Sequence, residues 1–300
     1  MDYLLNYADQ YALDSIYNAV YPLARDNIVR QSISLFFLTW FGGMFLYLTF
    51  ASLSYQFVFD KSLMDHPKFL KNQVFMEVLT ALQNLPGMAL LTVPWFLAEL
   101  HGYSYLYDNI SDYGLKYFLC SLPLFVMFSD FGIYWAHRFL HHRYVYPRLH
   151  KLHHKWIICT PYASHAFKSA DGFLQSLPYH LFPFFFPLHK LTYLALFTFV
   201  NFWSIMIHDG KYISNNPIIN GAAHHNGHHI YFNYNYGQFT TLFDRLGNSF
   251  RAPDEAWFDK DLRQNEDVLR VELMEYEAIR NEVEGDDDRE YIANSAKKNH

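Results

Sequence analysis

Charge and cysteine are scarce in this chain. Only 17% of its 300 residues are Asp, Glu, Lys or Arg, while 51% are hydrophobic and 20% aromatic. That balance is skewed for a soluble globular protein. The formal net charge of -6 gives no case for nucleic acid as a partner, and no RNA- or DNA-binding motif is present. The cysteines, Cys120 and Cys159, have no metal-like spacing and imply no disulfide framework. The N-terminus reads Met-Asp-Tyr and lacks a basic stretch followed by a short apolar core. A cleaved signal peptide is therefore not expected.

Where charge is missing, apolar runs take its place. No charged residue lies between Arg30 and Asp60, a gap of 29 residues. About 20 apolar residues suffice to span hydrocarbon as a helix. A second uncharged run covers Val78 to Ala98, with Pro86 and Pro94 as expected kinks. A third covers Tyr117 to Trp135, interrupted by Asp130. From Phe173 to Ile207 the run is broken only by His180, His189 and Lys190, with Pro178, Pro183 and Pro187 crowding its first half. That spacing argues against one straight helix and for a bent or re-entrant pair. Residues 1–30 are mixed and read as a possible interfacial segment, and residues 31–136 as three transmembrane helices.

The remaining signal is histidine. His137 and His141 are four apart; His150, His153 and His154 follow; His225, His228 and His229 lie about seventy residues on. Positions i, i+3 and i+4 share one face of a helix, so each cluster can point its rings one way. Imidazole suits zinc, copper, iron and nickel. Eight such ligands exceed one tetrahedral zinc site, and two metals sharing a site fit better. Asp130, Asp171 and Asp209 are candidate partners behind the ligands.

If the clusters build one site, an even number of crossings separates residue 154 from residue 225, so 173–207 is expected to be a hairpin. With the clusters cytosolic, loop 60–74 is cytosolic and carries Lys61, Lys68 and Lys71, whereas loop 99–116 is lumenal and has only Lys116. The Asn109-Ile110-Ser111 sequon falls on that lumenal side. Arg138, Arg143, Arg148, Lys151 and Lys155 surround the clusters. From Arg251 onward the composition turns acidic, with an amphipathic helix expected and then a disordered stretch at 284–290. Lys297 and Lys298, followed by two residues, match a dilysine retrieval signal of the endoplasmic reticulum, which needs a cytosolic tail.

The three histidine patterns resemble the boxes of the membrane fatty acid hydroxylase superfamily. The flanking stretches Thr160-Pro-Tyr-Ala-Ser-His165-Ala-Phe, Asp171-Gly-Phe-Leu-Gln-Ser-Leu-Pro-Tyr-His180, Asn201-Phe-Trp-Ser-Ile-Met-Ile-His208-Asp-Gly210 and Tyr231 to Thr241 are similar to the C-5 sterol desaturases, over roughly residues 117–252. The resemblance implies an iron- and oxygen-dependent membrane oxidoreductase that introduces a C5–C6 double bond into a Δ7-sterol. It implies two iron ions and electrons from NADH or NADPH through cytochrome b5 and its reductase. The dilysine signal, the parity of crossings and the lysine placement point to an endoplasmic-reticulum membrane with the site cytosolic. The eight box histidines carry over as iron ligands, and His208 as a further one. His165 carries over as a ligand or a substrate-side residue, while His142 and His224 are expected behind the ligands or toward solvent.

Asp209 and Tyr234 are candidates for substrate contact or ligand support. Tyr231, Phe232, Tyr234, Tyr236 and Phe239 can line a sterol cleft, form an interfacial belt or simply pack. Lys168 departs from the family, which usually has a second histidine there. Gly247-Asn248-Ser249 replaces the usual Gly-Gly-Ser. Alternatives that keep the same boxes are a sterol or fatty acyl hydroxylase, or a non-catalytic sterol- or metal-binding paralogue. The expected architecture is an all-α integral membrane protein, a bundle of about four transmembrane helices plus a membrane hairpin, with a cytosolic helical cap holding the histidine-rich site. Residues 137–250 form its catalytic region and 251–300 an acidic tail.

Overall fold

In the computed structural model, residues 1–213 and 215–292 are described; the Lys297 and Lys298 signal lies outside the described residues. Helices α1 (Asp2–Ala8) and α2 (Asp14–Val20) are joined by a π-helical turn at Asp9–Leu13. The buried Arg30 guanidinium draws them together, reaching Asp9 at 2.5 Å and Asp14 at 2.6 Å. Arg30 stands near the start of α3 (Ile28–Phe57), whose first turn is capped by the Asn27 side chain accepting from the Val29 and Arg30 amides. Helix α4 (Gln73–Leu100) contains Pro86 and Pro94, and α5 (Gly114–Leu140) contains Pro123 and ends at the first histidine pair. The short α6 (Tyr146–Leu149) leads to the second cluster.

Helices α7 (Ser169–Phe185) and α8 (Lys190–Ile207) form the hairpin. Pro178 and Pro183 sit inside α7, and the chain reverses at residues 186–189 beside Pro187. Strand β2 (Leu188–His189) at the hairpin tip pairs in parallel with β1 (Leu106–Tyr107), in the loop between α4 and α5. The tip therefore reaches the end of the bundle opposite the histidines, and the hairpin returns to the side it left. A Cβ at Gly132 on α5 would lie 2.6 Å from the Pro178 ring, so α5 and α7 approach this closely only because that position is glycine. Helices α3, α4, α5 and α8 are each long and apolar enough to cross a membrane. Phe45, Phe75, Leu90 and Phe131 are among the large side chains they expose. The protein is an all-α membrane protein.

Over the histidine end lies a cap of α9 (Ala222–Tyr231), α10 (Leu242–Leu246), α11 (Lys260–Arg263) and α12 (Glu266–Val283). Its core packs Trp156, Phe69, Tyr146, Phe232, Trp257 and Tyr276. The acidic stretch after α12 corrects the expectation of disorder. Arg289 pairs with Glu284 at 2.8 Å and Asp287 at 3.3 Å and donates to the His154 carbonyl at 3.2 Å. Tyr291 bridges to Leu70. Embedded arginine and the facing Lys68, which reaches Asp287 at 3.9 Å, neutralise the run of acids that composition alone reads as self-repelling.

Candidate metal centre

Nine histidines converge in two adjacent groups. His137, His141, His150, His154 and His228 form one, and His153, His208, His225 and His229 the other, with the nitrogens of each group within 4.8 Å of one another. Consecutive residues on a helix differ by about 100° in direction, which is why the neighbours His228 and His229, on α9, enter different groups. His153 and His154 split in the same way on a 3-10 turn. The second cluster is thus not on an α-helix. His153 and His154 donate their amides to the His150 carbonyl at 2.9 and 3.3 Å, which keeps the helical spacing over a single turn.

The ring geometry tests whether a metal fits. The Nε2 atoms of His137 and His150 lie 3.1 Å apart, those of His141 and His154 3.1 Å, and those of His154 and His228 3.0 Å. In the other group His208 and His225 are separated by 2.9 Å, and His225 and His229 by 3.2 Å. Two nitrogens on one ion at about 2.1 Å and at right angles are about 3.0 Å apart. Behind the rings, Nδ1 of His137 donates to the Tyr236 carbonyl at 3.0 Å, that of His228 to Tyr234 at 2.7 Å, and that of His208 to Ser204 at 2.7 Å. His150 donates from Nδ1 to Asp171 at 2.8 Å, and both side chains are fully buried. With protons fixed on Nδ1, the inward Nε2 atoms face one another as lone pairs. That donor set fits metal ions.

Burial, then repulsion among neighbouring imidazoles, pushes His141, His153, His154, His225 and His229 well below the usual imidazole range. Burial likewise lowers His228 to about 3 and His208 to about 4. Neutral imidazole is the form that binds metal.

The other candidates stand apart. His165 belongs to neither group; its Nε2 meets Asn201 Oδ1 at 3.1 Å and its Nδ1 the Ser164 hydroxyl at 3.0 Å. His142 is exposed beside Tyr144, and His224 is buried against Phe250. Of the three acids, Asp171 touches a clustered histidine, His150. Asp130 accepts from the Gln238, Phe239 and Thr240 amides and so holds the loop that carries the Tyr236 carbonyl. Asp209 is buried and accepts from the Lys211 amide. Tyr234 acts on His228 through its carbonyl, not its ring. Lys168 is exposed and donates to the Arg148 carbonyl at 2.6 Å, pointing away from both groups.

An apolar cavity of about 360 Å³ opens onto the second group and runs down between the membrane helices. Its walls include Gly42 and Leu46 of α3, Leu85 and Phe96 of α4, Tyr179 of α7 and Phe197 of α8, and it ends among His153, His208 and His225. The volume lies at the lower end of the small-molecule range. None of Tyr231, Phe232, Tyr234, Tyr236 and Phe239 lines it. Phe232 stacks on His154, Tyr236 packs on His137, His141 and His228, and Phe239 packs on Phe199 and Trp203. Sequence reading missed the Tyr236 carbonyl and Asn201, because a main-chain acceptor and a helix-borne amide carry no motif of their own.

Residues 122–249 match the family model for fatty acid hydroxylase. A probable Delta(7)-sterol 5(6)-desaturase of Neurospora crassa is 58% identical over 275 residues, covering 91% of this chain and 80% of that protein. The Delta(7)-sterol 5(6)-desaturase of Schizosaccharomyces pombe is 51% identical over 326 aligned positions, covering 98% and 99%. The chain belongs to the Delta(7)-sterol 5(6)-desaturase family. Another member, from Candida albicans, is 57% identical over 275 residues, with 90% and 71% covered. No solved structure matches the chain. The chain is an oxidoreductase, and its two histidine groups at one end of the membrane bundle suit metal binding.

Proposed function

We propose that this protein desaturates a Δ7-sterol between C5 and C6, using two iron ions, dioxygen and two electrons delivered by cytochrome b5 and its reductase. The sterol loses two hydrogens, and with two electrons and two protons the dioxygen leaves as two waters. His137, His141, His150, His154 and His228 would hold one iron and His153, His208, His225 and His229 the other. Iron in those groups would supply the power to activate dioxygen and remove hydrogen from an unactivated C–H bond.

The protein's own task is position and dryness. The observation that carries the reading is the apolar cavity ending on His153, His208 and His225. A flat, rigid, apolar molecule entering from the bilayer would be held there with its reacting edge against the metal groups. Asp171, Tyr234, Tyr236 and Ser204 keep the rings turned inward through the Nδ1 bonds. Water is kept from the site by the Trp156–Phe232–Tyr276 core above it.

The site would face the cytosol of an endoplasmic-reticulum membrane, with residues 137–250 as its catalytic region. The exposed Arg143 and Arg148 and the half-buried Lys151 beside the histidines are suited to an acidic electron donor. Expression in cells lacking their own C-5 desaturase tests the function. Extracted sterols should gain the ultraviolet absorbance of a conjugated 5,7-diene, whereas a hydroxylated sterol or unchanged substrate would overturn it.

A further inference from the structure

The geometry points to a polar recess for the sterol's 3β-hydroxyl, formed by Asn201 and Ser204 on α8 and steadied by His165. It rests on the desaturase reading above. In a sterol the C3 oxygen is separated from C5 by only three bonds. A substrate with C5 and C6 at the histidines therefore buries its hydroxyl close to them, not at the far end of the cavity. A buried hydroxyl without a partner is costly, so a partner is needed within a turn or two of His208.

Asn201, Ser204 and His208 occupy i, i+3 and i+7 on α8 and all line the cavity. At 1.5 Å rise per residue, Ser204 lies about 6 Å and Asn201 about 10 Å along the axis from His208. Their hydrogen-bonding capacity is not used up. The Asn201 amide donates once, to the Phe197 carbonyl at 2.7 Å, and faces His165 Nε2 at 3.1 Å. An amide offers two N–H donors and two acceptor positions, which leaves Asn201 one of each. The Ser204 hydroxyl reaches only the Ser164 carbonyl, at 3.5 Å. A sterol hydroxyl, donor and acceptor at once, matches that spare pair.

His165 has a defined part in this. Neutral, it donates from Nε2 to Asn201 Oδ1, while the Ser164 hydroxyl meets its Nδ1 at 3.0 Å. This holds the Asn201 amide in one orientation; His165 is a positioning residue. Two other polar lining groups, Gln175 and Thr39, are placed less well. Gln175 is tied to Asp171 at 2.8 Å. Thr39 lies eight residues before Tyr47, whose ring packs on His165, and so stands about 12 Å away along α3.

The test compares a Δ7-sterol with its 3-deoxy analogue, in membranes containing the full chain and supplied with NADH. The wild type should prefer the hydroxylated sterol by about ten- to a hundredfold in kcat/KM. Asn201→Leu should lose most of that preference, with the rate on the hydroxylated sterol falling far more than the rate on the 3-deoxy sterol. Ser204→Ala, which removes one oxygen and keeps the fold, should lose part of it. Wild-type preference retained in both variants overturns the recess, as does an equal fall on both sterols. Wild-type membranes that form no diene from either sterol overturn the desaturase reading itself, which is a different outcome.

Discussion

The Nε2 atoms of His137 and His150 face each other at 3.1 Å, while Tyr236 and Asp171 engage the Nδ1 of each from behind. With both protons on Nδ1, two lone pairs meet in a buried space, and a cation between them relieves the repulsion. Stripping metal with a chelator should therefore lower the thermal unfolding temperature, and re-adding iron(II) should restore it. His153→Ala and His228→Ala, one from each group, should each lower the metal content measured by mass spectrometry while the protein stays in the membrane fraction. Full metal content in either variant contradicts the assignment.

Asp171 is the acid that holds the His150 ring directly. Asp171→Ala leaves the His150 Nδ1 proton without its acceptor in a buried place, and should lower metal affinity or turnover by about 10- to 100-fold. Titration of the metal-free variant against the wild type measures this. Unchanged affinity would mean that Asp171 serves packing only.

Lys168 points outward to the Arg148 carbonyl. Lys168→Ala should leave metal content unchanged and turnover within about twofold, since surface changes of this kind usually stay within about 0.5 kcal/mol. A large loss would show that this departure from the family reaches the site after all.

A Cβ added at Gly42 would meet no atom within 4 Å, and the position lines the cavity. Gly42→Phe should fill sterol space, raising KM about tenfold or more, with metal content intact. An unaltered KM would place the substrate elsewhere.

Burial pushes the Asp60 carboxyl up, but the Ser62 hydroxyl and amide and the Arg263 guanidinium outweigh it and hold it at about 2. Its folded value lies below the unfolded 3.8. Stability from this pair is therefore present above about pH 4 and is lost as the pH falls toward 2. Asp60→Asn should flatten that part of the acid-unfolding curve. An unchanged curve would show that Asp60 does not anchor α11.

Much of this was legible in the sequence. The uncharged run after Arg30 became α3, and the histidine clusters do meet, but the second and third each divide between the two groups instead of pointing their rings one way. The parity argument for 173–207 required only that the clusters meet. What stayed hidden depends on contacts distant in sequence. Asp171 stands out from Asp130 and Asp209 only when α7 packs beside His150. The ordering of residues 284–292 needs Lys68 and Leu70 from the α3–α4 loop, more than 200 residues earlier in the chain. Within the aromatic run at 231–239, Phe232 and Tyr236 pack on the histidines while Tyr231 and Phe239 pack on Trp257 and Trp203, a division hidden because the alternation is shared by clefts, belts and packed cores.

The most direct measurement is the sterol product itself. Purified protein loaded with iron, given a Δ7-sterol, dioxygen and reduced cytochrome b5, should yield one 5,7-diene per dioxygen consumed, seen by its ultraviolet absorbance and mass. A product heavier by one oxygen atom, or dioxygen consumption without diene, would contradict the account.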